Sequence, residues 1–214
     1  MLEPVAPLPP TDWIRLSLVY AHLLGCVAAL ALVARADWSL ATASFTVDGL
    51  RRAARATTLA LGVLWITGLA LVYRDTGFSV DALTDSPKLI LKLLAVTVLT
   101  LNGVLLHALS FPLLADGRHL DAPRSAGLAL AGATSTGHWL LAAFVGVSRP
   151  LGQWPLPALL TGYVLFCLAT LGVAALCAPW LGRRLNGRRR HGAVQTGRRP
   201  AGRFGPANAR TVPQ

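Results

Sequence analysis

The stretch Lys88–Phe111, KLILKLLAVTVLTLNGVLLHALSF, decides the class of fold. It is long enough to cross a bilayer, because a membrane helix needs about 20 predominantly apolar residues. Polar side chains nevertheless interrupt it at Lys88, Lys92, Asn102 and His107. Ionisable groups inside a membrane are costly and usually face the interior of a helix bundle or a functional site. The stretch therefore predicts a membrane helix that has a polar, inward-facing side.

The composition predicts that most of the chain lies in a membrane. Hydrophobic residues make up 54% of the 214 residues, and the mean hydropathy is +0.54. They form long runs rather than periods of 3.6 or 2 residues, which is typical of helices that face lipid. The length accommodates about five spans. We predict an all-α integral membrane bundle of five transmembrane helices, with spans at 13–34, 56–73, 88–111, 126–147 and 158–181.

Polar segments flank and interrupt the predicted membrane domain, 13–181. The segment 1–12 is Pro-rich and lacks the basic start of a signal peptide, so we expect it to be retained outside the cytoplasm. A polar connector occupies 36–55. The segment 182–214 contains nine arginines and no acidic residue. Its few apolar residues cannot bury enough surface to fold, so we predict a disordered Arg-rich cytoplasmic tail.

The distribution of basic residues predicts the orientation. With five spans, the arginines of the 36–55 connector, of the loop after the third span and of the tail all fall on one side. The positive-inside rule then places the N-terminus outside and the C-terminus in the cytoplasm of a bacterial inner membrane. The expected partners are the bilayer and anionic lipid at the tail. A nucleic-acid partner is disfavoured, because Phe204 is the tail's only aromatic residue, and the oligomeric state stays open.

Two histidines suggest a cofactor. His22 lies nine residues after Trp13, and His138 lies nine residues before Val147. At 1.5 Å per residue, both would lie about 13–14 Å below the outer surface. Two imidazoles at one depth are what a b-type haem with two axial histidines requires. Lys92 would lie about 6 Å below the same surface, where an ammonium meets the haem propionates. We therefore predict a haem site at His22, His138 and Lys92, for a redox or porphyrin-linked role.

Two alternatives explain the same polar residues. Thr134 and Ser135 share a helix face with His138, and with Asn102 they could line the pocket of a small-solute or ion carrier. The same groups could instead join helices in an assembly subunit that performs no chemistry. His107 would lie about 28 Å from the outer surface, too far to share a ring with His22. The predicted spans contain no Asp or Glu, which argues against a carboxylate-based proton relay or cation site.

Several other classes of function find no support. Copper transport favours Met or paired Cys ligands, but the single Met is the first residue. The three cysteines, Cys26, Cys167 and Cys177, form no CxxC pair, which disfavours a zinc site or a disulfide framework. The chain also has neither a Gly-rich phosphate loop nor a GxSxG motif. The residues therefore do not indicate an enzyme, and an oxidoreductase would have to depend on haem.

Short motifs in the first three spans resemble those of a group of small bacterial membrane proteins. They are His22-Leu-Leu-Gly25, Thr67-Gly68-Leu69, and Lys92 followed by Leu101-Asn102-Gly103, His107 and Pro112. The group includes the copper-resistance-D-like proteins and, more distantly, the HemJ-type protoporphyrinogen oxidases. The resemblance covers roughly 13–112. In HemJ-type proteins a His of span one and a Lys of span three form the functional pair and haem is bound. This resemblance implies such a role for His22 and Lys92.

Overall fold

The computed structural model describes residues 10–42, 44–116 and 119–197, and helices make up nearly all of this part of the chain. No strand occurs within these ranges. The seven α-helices are α1 (Pro10–Ala41), α2 (Val47–Thr76), α3 (Val80–Thr84), α4 (Pro87–Leu105), α5 (Phe111–Ala115), α6 (Ala122–Val147) and α7 (Leu156–Gly197). A π-helical turn, Leu106–Ser110, joins α4 to α5, and a 3₁₀ turn, Arg149–Gln153, precedes α7. The predicted all-α fold is confirmed.

Five helical segments are long and apolar enough to cross a membrane, with a mean hydropathy of 1.3 to 2.2 in the most apolar window of each. They are Asp12–Ala41, Val47–Thr76, Pro87–Ala115, Ala122–Val147 and Leu156–Arg188. Large apolar side chains such as Leu59, Ile66 and Leu176 are exposed on their outer faces. Such a surface is stable only against lipid. The chain is therefore a multi-pass membrane protein, and the predicted number of spans is confirmed.

The first two spans are longer than the sequence predicts. The helix α1 continues through Asp37 to Ala41, and α2 begins at Val47 after the hydroxyl of Thr46 accepts a hydrogen bond from the amide of Gly49 (3.0 Å). Most of the predicted 36–55 connector is therefore helical. A formed helix extends through polar residues because each added residue gains a hydrogen bond without a new nucleation step. The predicted spans contain no acidic residue, but the longer helical segments add Asp12, Asp37, Asp48 and Asp75 beyond the predicted bounds.

The last helix corrects the predicted boundary of the tail. Because α7 continues to Gly197, the predicted disorder is wrong for 182–197. Asn186 explains part of this extension, since its side chain exchanges two hydrogen bonds with the backbone of Leu120, at 2.8 and 2.9 Å. Arg188 lies over the ring of Phe45, 4.3 Å from the ring centre, and donates to the Phe45 carbonyl. The rest of the predicted tail, 198–214, lies outside the described residues.

The sequence suggests that the third span ends at Pro112, but in the structure the span continues to Ala115. The π-helical turn lies directly before this proline. Proline has no amide hydrogen, and its ring collides with the carbonyl four residues earlier in a regular α-helix. A wider turn relieves that collision without breaking the helix. The turn carries His107, and it brings Leu106 and Ser110 to the wall of the cavity described below.

The helices pack mainly as three neighbouring pairs, α1 with α2, α4 with α6 and α6 with α7. The buried Asn102 of α4 donates from its side-chain nitrogen to the Ala131 carbonyl of α6 at 2.9 Å. Small residues allow α6 and α7 to approach closely: a Cβ added at Gly182 would lie 3.1 Å from the Cβ of Ser125. Interhelical hydrogen bonds and small residues are the usual means of association for helices in lipid.

Candidate functional site: two histidines and a cavity

His22 of α1 is held by the second span. Its Nδ1 lies 2.8 Å from the hydroxyl of Thr67, and that hydroxyl donates its proton to the Val63 carbonyl at 2.7 Å. The Thr67 oxygen must therefore accept from His22, which assigns the Nδ1–H tautomer and leaves a lone pair on Nε2. The ring also packs against Gly68, where an added Cβ would lie 3.4 Å from Cε1. Thr67 and Gly68 thus form the seat of this imidazole.

His138 of α6 is buried, with only 2% of its surface exposed. Its Nδ1 lies 2.9 Å from the Thr134 carbonyl, which can only accept, so Nδ1 carries the proton. Its Nε2 lies 2.9 Å from the hydroxyl of Tyr163 on α7 and accepts that proton. Tyr163 and Phe166 also contact the ring edge to face, at 5.8 and 5.3 Å between ring centres. Both ring nitrogens of His138 are therefore engaged within the bundle.

These contacts bear on the predicted haem site. An axial haem ligand needs a ring nitrogen with a free lone pair. His22 has such a lone pair on Nε2, whereas Nε2 of His138 accepts a hydrogen bond from Tyr163. Within the described ranges, no hydrogen bond or ring contact joins the two histidines, and neither of them lines the cavity described below. The side chains of His22 and His138 therefore do not fit a haem held between them.

Lys92 is the other residue of the pair that was predicted with His22. The ammonium is half-buried on α4, close enough to His22 for the two groups to interact electrostatically. Asp75 attracts the same ammonium and forms an ion pair with Arg15, at 3.2 Å between Nε and Oδ1. His22 and Lys92 therefore lie within electrostatic range of each other, near the end of the bundle where α1 begins. It places His138 in a separate polar cluster with Thr134 and Tyr163.

A cavity of about 140 Å³ lies in the other half of the bundle, where α1 ends. All five spans contribute to its wall, and examples from successive spans are Asp37, Leu61, His107, Ser135 and Leu185. The wall is predominantly apolar. His107 donates from Nδ1 to the Gly103 carbonyl of its own helix at 2.8 Å, so its Nε2 has a free lone pair. Of the predicted polar residues, His107 and Ser135 line this cavity, Asn102 joins α4 to α6, and Thr134 accepts from His138 through its backbone carbonyl within α6.

Asp37 is the acidic residue on the cavity wall. Its carboxylate is half-buried and accepts a hydrogen bond from the hydroxyl of Thr136 on α6. In the part of the chain that the structure describes, no cation forms an ion pair with it. Asp37 was not predicted as a site residue, because the polar segment 36–55 indicates a connector. The signal was present in its spacing, since Val33, Asp37 and Leu40 lie on one helical face and all line the cavity.

No protein-family model matches the chain, and neither a curated protein nor a solved structure is similar to it. The resemblance to the copper-resistance-D-like and HemJ-type proteins therefore stays a prediction. The two polar clusters and the cavity are the features of the structure that bear on function.

Proposed function

We propose that this membrane protein binds a small, largely apolar solute in the cavity and serves as a small-solute carrier. The observation that supports this proposal is a cavity of about 140 Å³ lined by all five spans. A cavity of about 150 Å³ holds a ligand the size of benzene. Apolar walls with a few polar groups are also typical of small-molecule sites. A position between all five helices lets a change in helix packing open or close the site.

The two other candidate roles explain less of the structure. An assembly subunit needs polar groups that join helices, as Asn102 does, but it has no use for a carboxylate on a cavity wall. Haem ligation needs a free nitrogen on His138, which Tyr163 occupies. His22 and Lys92 lie outside the cavity and keep the free lone pair and the ammonium that would suit a second polar site.

The proposal includes a location and an orientation. Arg188 contacts Phe45, so the end of α7 lies next to the Arg-rich start of α2. The basic residues of these two segments therefore share one end of the bundle. The positive-inside rule supports placing this end, and the cavity near it, on the cytoplasmic side of a bacterial inner membrane. Arginines at this end would contact anionic lipid.

Filling the cavity tests the proposal. A Cβ added at Gly132 would meet no atom within 4 Å, although the residue lines the cavity, so Gly132→Leu adds a side chain without an initial clash. Gly172 is equally open but lies off the cavity, which makes Gly172→Leu the matched control. We expect toluene to raise the unfolding temperature of the purified wild type and the control, but not of Gly132→Leu. Equal stabilisation of all three proteins, or of none, would contradict solute binding in this cavity.

A further inference from the structure

We infer that the cavity selects an organic cation, with Asp37 as the counter-ion of an ammonium group whose apolar body occupies the cavity. This inference rests on the proposed function and specifies its ligand. Asp37 lines the cavity together with apolar residues of every span. The hydroxyl of Thr136 holds the carboxylate in place but does not neutralise it.

None of the described ion pairs involves Asp37. In the described ion pairs, Arg15, Arg51 and Arg124 each serve a different aspartate. Arg35 is two residues from Asp37, which turns its side chain about 200° around the helix, and it is exposed. The described cavity wall contains no Lys or Arg. A half-buried carboxylate without a cation is unfavourable, and a charged ligand would remove that penalty.

Aromatic rings complete the site for an ammonium group. Trp139 and Phe111 line the same cavity as Asp37, and Trp139 is almost fully buried. Quaternary ammonium ions bind against aromatic faces, where the ring quadrupole attracts the cation. A cavity wall that carries both a carboxylate and two aromatic rings therefore favours an alkylated ammonium over a neutral solute of the same shape. His107 is the other titratable group on the wall, and its Nδ1 donates to the Gly103 carbonyl.

The experiment compares two ligands of nearly identical shape, benzyltrimethylammonium and the neutral neopentylbenzene. Their dissociation constants are measured by titration calorimetry at one fixed pH for the wild type, Asp37→Asn and Thr136→Val. Asparagine keeps an oxygen that accepts from Thr136 but removes the charge. We expect Asp37→Asn to weaken binding of the cation by about ten-fold or more, equivalent to the loss of about 1.4 kcal/mol, and to leave the neutral ligand unchanged. Thr136→Val keeps the carboxylate, so it should retain preference for the cation.

The outcomes distinguish the inference from the proposed function. If the wild type binds both ligands and Asp37→Asn binds the cation equally well, cation selection by Asp37 is refuted while solute binding stands. If the wild type binds neither ligand, the cavity is not a solute site and both proposals fail. An equal loss of both ligands in Asp37→Asn would also refute cation selection, because it would show a change of cavity shape rather than of charge.

Discussion

Tyr163→Phe tests whether the hydrogen bond between Tyr163 and His138 contributes to the stability of the bundle. The substitution removes one oxygen and leaves the lone pair on His138 Nε2 buried without its donor, since 2% of this residue is exposed. An unsatisfied buried acceptor costs about 1–3 kcal/mol in proteins, and polar contacts between membrane helices average about 0.6 kcal/mol. We therefore expect the free energy of unfolding to fall by about 1 kcal/mol.

The assay is reversible unfolding of the purified protein in mixed micelles. Tyr20→Phe is the matched control, because this tyrosine is 62% exposed and no hydrogen bond of its side chain is described. The double variant Tyr163→Phe/His138→Leu removes both partners and should be less destabilised than the sum of the two single variants. The reasoning fails if Tyr163→Phe is as stable as Tyr20→Phe, or if the two single losses simply add.

Two further substitutions test the packing of the spans. Asn102→Leu keeps the length and branching of the side chain but removes the bond to Ala131, and it should lower the free energy of unfolding by about 1 kcal/mol. Thr161→Ala loses only a bond within its own helix and should change this free energy little. Gly182→Ala should destabilise the contact of α6 with α7, because the new Cβ would lie 3.1 Å from the Ser125 Cβ. The control is Gly172→Ala, whose Cβ meets nothing within 4 Å. Equal unfolding curves for the two glycine variants would contradict this account.

The number and approximate positions of the spans follow from the sequence because apolar runs of this length have no other stable environment. The ends of the helices do not follow in the same way. Polar residues at 36–41 and 182–188 suit a loop or a tail by composition, yet the helices continue through them. Contacts that are distant in sequence, such as Arg188 with Phe45, stabilise this extension, and a linear reading of hydropathy does not detect them.

The candidate site could be predicted only in part. The pairing of His22 with Lys92 is implied by the resemblance and stays a prediction, although the two residues lie within electrostatic range of each other. The contact of His138 with Tyr163 does not follow from the depth of His138 in the membrane. The side chain that faces a buried imidazole depends on the rotation of both helices. The place of Asp37 on the cavity wall was not predicted for a different reason. The polar residues around it indicate a connector, not a helix whose side chain faces the cavity.

The most direct test of the central claim measures whether a solute occupies the cavity. Ser135 lines the cavity and Leu140 is exposed on the outer face of the same helix. Each is changed to cysteine in a chain whose three native cysteines are replaced by alanine, and the rate of labelling by a small methanethiosulfonate is followed in membranes. We predict that benzyltrimethylammonium slows labelling at position 135 and leaves position 140 unchanged. Labelling at position 135 that is unaffected by saturating ligand would contradict the account.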